Sequence, residues 1–201
     1  MKLNEFEKTI VQHPLRCWAQ DKIEMPIITS LFDIVPQYLS SALEIGCGYG
    51  NGVGLIRKHF FPESLTAVDY DIEMVKATKA RYADEKWLSV SQADASQLPF
   101  ENNNFDLIFN FAVFHHIPDW QKAVKEVYRV LKPNGFFVVE DLYRLAITNP
   151  VSKRLFEHPQ HNRFDHHQFL EHLTLCGFKL VKSHHIFNLA GVVLAQKVVH
   201  H

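Results

Sequence analysis

The sequence predicts an α/β fold, and three observations carry that prediction. Apolar runs of strand length alternate with apolar patterns of helical period along most of the chain. The first run delivers the chain into glycines at alternate positions, Gly46, Gly48 and Gly50, and the second ends on one carboxylate, Asp69. A strand that stops at a glycine turn and continues as a helix is the unit from which parallel sheets are built.

Residues 1–40 precede the first strand and read as helices broken at Pro14, Pro26 and Pro36, an extension placed to cover a site. Ala42 to Ile45 is the first strand, and Val53, Leu55, Ile56 and Phe60 give the helix after it. Leu65 to Val68 is the second strand. Asp71 caps a second helix with Met74, Val75 and Ala77 to Ala80 on its apolar positions, and Trp87 to Val90 follows as the third strand. Leu98 to Asn104 is rich in Pro and Asn and reads as a loop with room for one helical turn, before the fourth strand, Phe105 to Phe109. Trp120, Ala123, Val124, Val127, Val130 and Leu131 recur at helical spacing. Lys132-Pro133-Asn134-Gly135 then turns into a fifth strand, Phe136 to Val139. A helix from Asp165 to Leu175 stops at Cys176-Gly177, and Phe178 to Phe187 with Leu189 to Val199 read as a closing hairpin. The whole is one domain: an extension (1–40), a core (41–141), then later loops and strands (142–201).

Composition narrows the function. With 201 residues, 47% apolar, and 16 Phe, 6 Tyr and 3 Trp, the chain can bury a full core. Its formal charge of −1 lacks the basic excess of proteins held by phosphate backbones, so nucleic acid is not an expected partner. Cys17, Cys47 and Cys176 form neither a disulfide framework nor a metal knuckle, which fits a reducing compartment. The charged amino terminus resembles no signal peptide and no run reaches a membrane span, so the expected location is the cytoplasm. Nine of the 13 histidines lie beyond residue 150. The spacing of His158, His161, His166, His167 and His172 matches no zinc finger, and they read as a solvated face with no metal. Phe6, Trp18 and Phe32 read as core or lid residues of the extension.

The glycine segment, Glu44 to Gly52, permits close backbone approach by a nucleotide-like ligand. A dinucleotide fingerprint counted from Gly46 meets Asn51 where it needs glycine, and counted from Gly48 it meets Val53. Nicotinamide cofactors are therefore the weaker reading. Asp69 lies 23 residues beyond Gly46, where a carboxylate can accept from both hydroxyls of a ribose. Asp94, after the third strand, can accept from an adenine amino group, although a cap or turn role is the ordinary one for such a residue taken alone.

Five segments occur in order: Glu44-x-Gly46-x-Gly48-x-Gly50; the strand end at Asp69; Asp94-Ala95-x-x-Leu98-Pro99-Phe100; Phe105 to Phe109; and Arg129 to Phe136. In this the chain resembles class I S-adenosylmethionine-dependent methyltransferases, in particular the type 11 group with its ubiquinone- and menaquinone-methyltransferase-like members, strongly over residues 40–140. The resemblance implies a Rossmann-like fold with a seven-stranded, mostly parallel sheet, a reversed last strand and helices on both faces. It implies S-adenosylmethionine as cofactor, with Glu44, Gly46, Gly48 and Gly50 around its methionine part, Asp69 on the ribose, Tyr70 flanking the ring and Asp94 with Ala95 on the adenine. Asn110 and Phe111, where the fourth strand ends, complete the expected cofactor contacts. Two departures matter. Asn134 stands where the family often has glycine, a mild change because Asn tolerates left-handed turns. Asn110-Phe111-Ala112-Val113 also lacks the motif of base-methylating enzymes.

On the acceptor side, His115 and His116 follow the fourth strand, where an imidazole can orient a nucleophile or take its proton. A purely structural loop histidine is the competing reading. Glu140, Asp141 and Tyr143 end the fifth strand and are candidate acceptor groups, against the ordinary expectation of a solvated loop. The function expected is methyl transfer to a small-molecule oxygen, nitrogen or carbon nucleophile. The alternatives are a nicotinamide-dependent oxidoreductase and a noncatalytic, cofactor-sensing domain.

Overall fold

Strands form where the apolar runs lie: the first, second, fourth and fifth extend past their runs, the third starts and ends later than expected, and the two of the closing hairpin are shorter than expected. In the computed structural model, which describes residues 4–36, 38–149, 152, 154 and 161–198, the strands are β1 (Ser41–Ile45), β2 (Ser64–Asp69), β3 (Leu88–Gln92), β4 (Phe105–Phe111), β5 (Leu131–Leu142), β6 (Phe178–Ile186) and β7 (Ala190–Lys197). They make one seven-stranded sheet in the order β3-β2-β1-β4-β5-β7-β6. Every pairing is parallel except those of β7, which runs antiparallel to both β5 and β6. The reversed last strand thus sits inside the sheet, as half of the expected hairpin.

Burial on both faces makes this a three-layer structure. The helices that flank the sheet each lay an apolar stripe on it, the main source of helical stability in a folded chain. On one face, α6 (Trp120–Val130) and α8 (His166–Leu175) bury Trp120, Val124, Val127, Phe169 and Leu173 against Leu43, Ile108 and Phe137. On the other, α3 (Met25–Thr29), α4 (Asn51–Phe60) and α5 (Ile72–Arg81) bury Met25, Ile56, Phe60 and Val75 against Ala67, Phe109 and Val138. Asp71 caps α5 as expected, accepting from Glu73 N–H at 3.1 Å, and Asp165 caps α8 by accepting from Gln168 N–H at 2.9 Å. Gly177, at φ +98°, ends α8 in a conformation that residues with a side chain rarely adopt.

Some expectations are corrected. Pro14 begins α2 (Pro14–Ala19), but Pro26 breaks nothing. The helix widens to a π-turn over Gln20–Glu24, where Met25 N–H reaches back to Gln20 O, and α3 carries Pro26 in its first turn. Ahead of them lies α1 (Glu5–Gln12), Pro36 stands in irregular chain, and the short α7 (Arg144–Ile147) follows β5. Lys132 to Gly135 belongs to β5, as an excursion where the pairing with β4 slips; Asn134 takes the left-handed conformation, at φ +64°. The loop 98–104 has no helical turn. Phe32 packs edge-on against Phe60 and Phe136, whereas Trp18 is 54% exposed and joins neither core cluster. His158 and the side chain of Phe6 lie outside what the structure describes.

No helix among the described residues is long and apolar enough to cross a membrane, and they contain no group of His, Cys, Asp and Glu placed to hold a metal.

Candidate active site

Because β1, β2, β3, β4 and β5 are parallel, their carboxyl ends share one edge, and the turns leaving them enclose a cavity of about 990 Å³. The first wall is the glycine turn. Gly46 stands at φ +78° with its backbone against Val113, so that any Cβ there would run into that side chain. Below it Glu44, 1% exposed, is bracketed by Gly52, where a Cβ would meet the carboxylate itself. Glu44 Oε2 is buried with no hydrogen-bond partner among the described residues, and burial, aided by the charge of Asp69, holds its carboxyl well above the usual range. A buried acceptor facing a cavity is matched to a ligand that brings a donor. The turn is held from outside by Thr78 Oγ1, donating to Gly48 O at 2.8 Å, and by Tyr82 OH, donating to Gly50 O at 2.9 Å.

Asp69 forms the next wall and also anchors the turn. Its Oδ2 accepts from Gly48 N–H and its Oδ1 from Asp71 N–H, each at 2.9 Å. Each oxygen keeps a second lone pair for a ligand, and burial raises the carboxyl's pKa above its ordinary value. Asp94 combines both readings made of it. One oxygen, Oδ1, closes a turn by accepting from Ser96 N–H and Oγ at 2.8 Å each, while the exposed residue lines the cavity beside buried Ala95. Tyr70, 53% exposed, is at the rim. Phe111 lines the cavity too, but Asn110 does not. Asn110 is fully buried, donating to Asp141 Oδ2 at 2.7 Å and accepting from Val113 N–H at 3.1 Å, so the structure gives it a supporting place rather than the cofactor contact expected.

The opposite wall is the turn after β4. Ala112, at φ +55°, directs the chain into a single 3-10 turn, Phe114–His116, an outlying conformation for alanine that its N–H secures by donating to Glu140 O at 2.7 Å. His115, 3% exposed, lines the cavity with Nδ1 at 2.6 Å from Asp141 Oδ1. That carboxylate also accepts from Leu142 N–H, Phe114 N–H and the Asn110 amide at 2.7–2.8 Å. Every partner is a donor, so the proton of the His115–Asp141 contact belongs on Nδ1 of the ring. Arg163, buried, donates to the carbonyl of His115 and locks the turn from behind. His116 lines the same wall, its ring centroid 4.1 Å from that of His115.

The strand end after Val139 is therefore not a solvated loop. Asp141 is 1% exposed and Tyr143 is 1% exposed, its hydroxyl 2.7 Å from His166 Nδ1. Successive strand residues face opposite sides, so Asp141 turns to His115 while Glu140 turns to the N-terminal helices. Arg16, Gln20 and Glu24, spaced by four along those helices, close the cavity over Glu140. Arg16 Nη1 donates to both oxygens of Glu24 at 2.9 and 3.0 Å, and its Nη2 lies 3.7 Å from Glu140 Oε1. Burial, with the nearby charge of Glu24 and against that of Arg16, pushes the Glu140 carboxyl up to about 8.

Sequence reasoning missed Gly52 as the partner of Glu44, and Arg16, Gln20 and Glu24 altogether. The first was legible in the fourth alternate glycine of Glu44 to Gly52; the others carry no local signal.

Residues 43–139 match the sequence family described as "Methyltransferase domain". Over 100 residues the chain is 34% identical to the phthiotriol/phenolphthiotriol dimycocerosates methyltransferase of Mycobacterium tuberculosis, a stretch covering 50% of this chain and 37% of that protein. Over 99 residues it is 34% identical to the fatty-acid O-methyltransferase of Mycolicibacterium smegmatis, covering 49% and 36%. The matched stretch thus spans little more than a third of these relatives. Among solved structures, the S-adenosylmethionine-dependent methyltransferase from Mesorhizobium loti superposes with a TM-score of 0.70 at 16% identity, over 85% of this chain and 96% of that one. That likeness is one of fold.

Proposed function

We propose, from the premise that residues 43–139 are a methyltransferase domain on a Rossmann-like class I fold, that the protein transfers a methyl group from S-adenosylmethionine to a small-molecule acceptor. The observation that carries this reading is that cofactor-type and base-type groups wall one cavity: Glu44, Asp69 and Asp94 on one side, and His115 backed by Asp141 on the other.

The residues fit the cofactor. Glu44 Oε2 is a buried acceptor matched to an ammonium, Asp69 retains lone pairs for ribose hydroxyls, and the glycine turn leaves room at Gly48, where a Cβ would meet nothing within 4 Å. When bound, the cofactor supplies a methyl on a sulfonium, an electrophile that needs only an aligned nucleophile. Asp141 holds the His115 ring with Nδ1 protonated, which makes Nε2 the nitrogen that takes a proton from an acceptor group. Arg16, Gln20 and Glu24 wall the same space from the N-terminal side. Positioning is the larger effect, and base assistance adds about 10²–10⁴-fold where the acceptor must lose a proton. The curated relatives named above bear small-molecule acceptors in their names, which supports that class of acceptor here.

Calorimetry with S-adenosylmethionine and with NAD separates this reading from a nicotinamide oxidoreductase. Acceptor-dependent formation of S-adenosylhomocysteine, in a screen of metabolite extracts with labelled cofactor, separates it from a sensing domain. Binding of NAD alone, or binding of S-adenosylmethionine with no turnover on any fraction, would overturn it. His115→Ala should slow turnover far more than it weakens cofactor binding; near-normal turnover would leave His115 structural.

A further inference from the structure

We infer that Glu140, Glu24 and Arg16 form an acceptor subsite that takes a cationic nitrogen, so that the acceptor is a small molecule carrying an ammonium or guanidinium group. The inference rests on the methyl-transfer reading for the word acceptor, and on its own geometry for the ligand's charge.

Four features lead to it. The three side chains line the cavity where the N-terminal helices meet the end of β5, and they remain 31% (Arg16), 26% (Glu24) and 15% (Glu140) exposed there. Two carboxyl groups share one guanidinium that Arg16 already commits to both oxygens of Glu24 through Nη1, so Glu140 keeps its proton near neutral pH and lacks a countercharge of its own once it ionises. Donors from the protein are also short: Glu140 Oε2 is sealed from solvent with no donor on it among the described residues, and its carboxyl neighbour Glu24 can be bridged only by the proton that Glu140 retains. An acceptor atom so placed is costly until something supplies a proton to it. Finally, this end is separate from the place of the cofactor's ammonium. Glu44 lies on β1 and Glu140 on β5, with β4 between them, so the two strands are about 10 Å apart.

These features discriminate among acceptors. A carboxylate head group would meet Glu24 and Glu140 with only a neutralised arginine to offset them, and a neutral alkyl group would leave Glu140 Oε2 unsatisfied. A cationic nitrogen supplies donors and charge together. Glu140 and His115 line the same cavity, so a molecule anchored at the first presents its remaining groups toward the ring that Asp141 orients. The anchored nitrogen, protonated, is the handle, and the methylated atom is another group of the same molecule.

The test uses the full chain saturated with S-adenosylhomocysteine and titrated calorimetrically with n-hexylamine, sodium hexanoate and n-hexanol. The amine should bind at least ten-fold more tightly than either of the others. It should also release a proton to the buffer near pH 7, as the cation drives the Glu140 carboxyl, raised to about 8 among Glu24, Arg16 and Asp141, into its ionised form. E140Q should weaken the amine ten-fold or more and abolish that release, with affinity for S-adenosylhomocysteine unchanged; E24Q serves in its place if E140Q does not fold. Hexanoate binding as tightly as the amine, no amine binding at millimolar concentration, or an unchanged affinity in a folded E140Q would overturn the inference. Failure of S-adenosylhomocysteine to bind would instead strike at the methyl-transfer reading, and the amine titration would still be readable on the protein alone.

Discussion

Asp141→Asn tests the site where its geometry is tightest. The carboxylate receives four hydrogen bonds, from Nδ1 of His115 and Leu142 N–H on Oδ1 and from the Asn110 amide and Phe114 N–H on Oδ2. An asparagine must place its NH2 against one of those pairs. Turned toward Phe114 and Asn110, it faces two donors whose positions are fixed by β4 and the turn after it. Turned toward His115, it faces one backbone donor and a ring that can respond by giving up the proton on Nδ1. The second arrangement leaves one clash rather than two, so it should win, and it moves the ring proton to Nε2, where it blocks base action. The expected losses are about 1–3 kcal/mol of stability, from one buried donor left unsatisfied, and about 10²–10⁴-fold in turnover, the usual worth of a general base. Affinity for S-adenosylhomocysteine should stay within two-fold, because Asp141 does not line the cavity. Nitrogen-15 chemical shifts of the His115 ring read the tautomer, chemical denaturation reads stability, and turnover is measured with the acceptor identified in extracts. A folded variant that still carries its ring proton on Nδ1, or turns over at nearly the normal rate with that acceptor, would refute the reasoning.

Asp69→Ala should weaken S-adenosylmethionine binding ten-fold or more, since a charged acceptor worth about 1.5–3 kcal/mol is lost. It should also lower the melting temperature, because the same carboxylate holds Gly48 and Asp71; unchanged calorimetric affinity in a folded variant would count against the ribose assignment. Gly52→Ala drives a Cβ into Glu44 and to 2.8 Å from the Phe111 ring. Overpacking of this kind costs about 1–3 kcal/mol, more than the helix propensity gained, and denaturant titration should show a net loss. Stability should fall as pH rises. Glu140, held at about 8, and Glu44, held well above its usual range, keep protons in the folded state that the unfolded chain releases as pH rises through about 4.5, and the raised Asp69 acts in the same direction. The stability from Glu140 is complete below that pH and lost through pH 8, so E140Q should lose less of its melting temperature between about pH 5 and pH 9 than the parent; equal losses would show that Glu140 is not buried as described.

The parts legible in the sequence are those fixed by neighbours in the chain. Ala42 to Ile45 feeding Gly46 states both a buried strand and the backbone geometry that follows it, and Asp165 with Gly177 marks both ends of α8. Asn134 was readable for the same reason, since its φ of +64° is a local preference. The parts that were not legible depend on contacts far along the chain. Pro26 signals a break, but a π-turn ahead of it absorbs the missing donor, and Met25 and Ile28 hold the helix by tertiary packing. Asp141 resembles a polar loop residue until β7 covers β5 and Asn110 reaches it from β4. Asn110 sat at the right strand end for a ligand contact; whether such a residue faces the cavity or the layer beneath is set by Asp141, 31 residues later.

The place of β7 has a consequence for how the molecule is made. All residues assigned to the cavity chemistry lie within the first 141, yet β5 gains its second neighbour only through residues 190–197, with Val192 opposite Glu140 and Gly191 opposite Asp141. A nascent chain that has emerged only as far as α8 therefore carries all of these cavity residues on a sheet in which β5 is an open edge. The half of the sheet that walls the cavity is completed only by capturing an antiparallel strand from residues 190–197, a closure of long range that is slow compared with the local βα units before it. Until then the exposed edge is a place where another unfinished copy can pair. The residues assigned to the cavity chemistry and the strand that completes their sheet are thus separated by about a quarter of the chain.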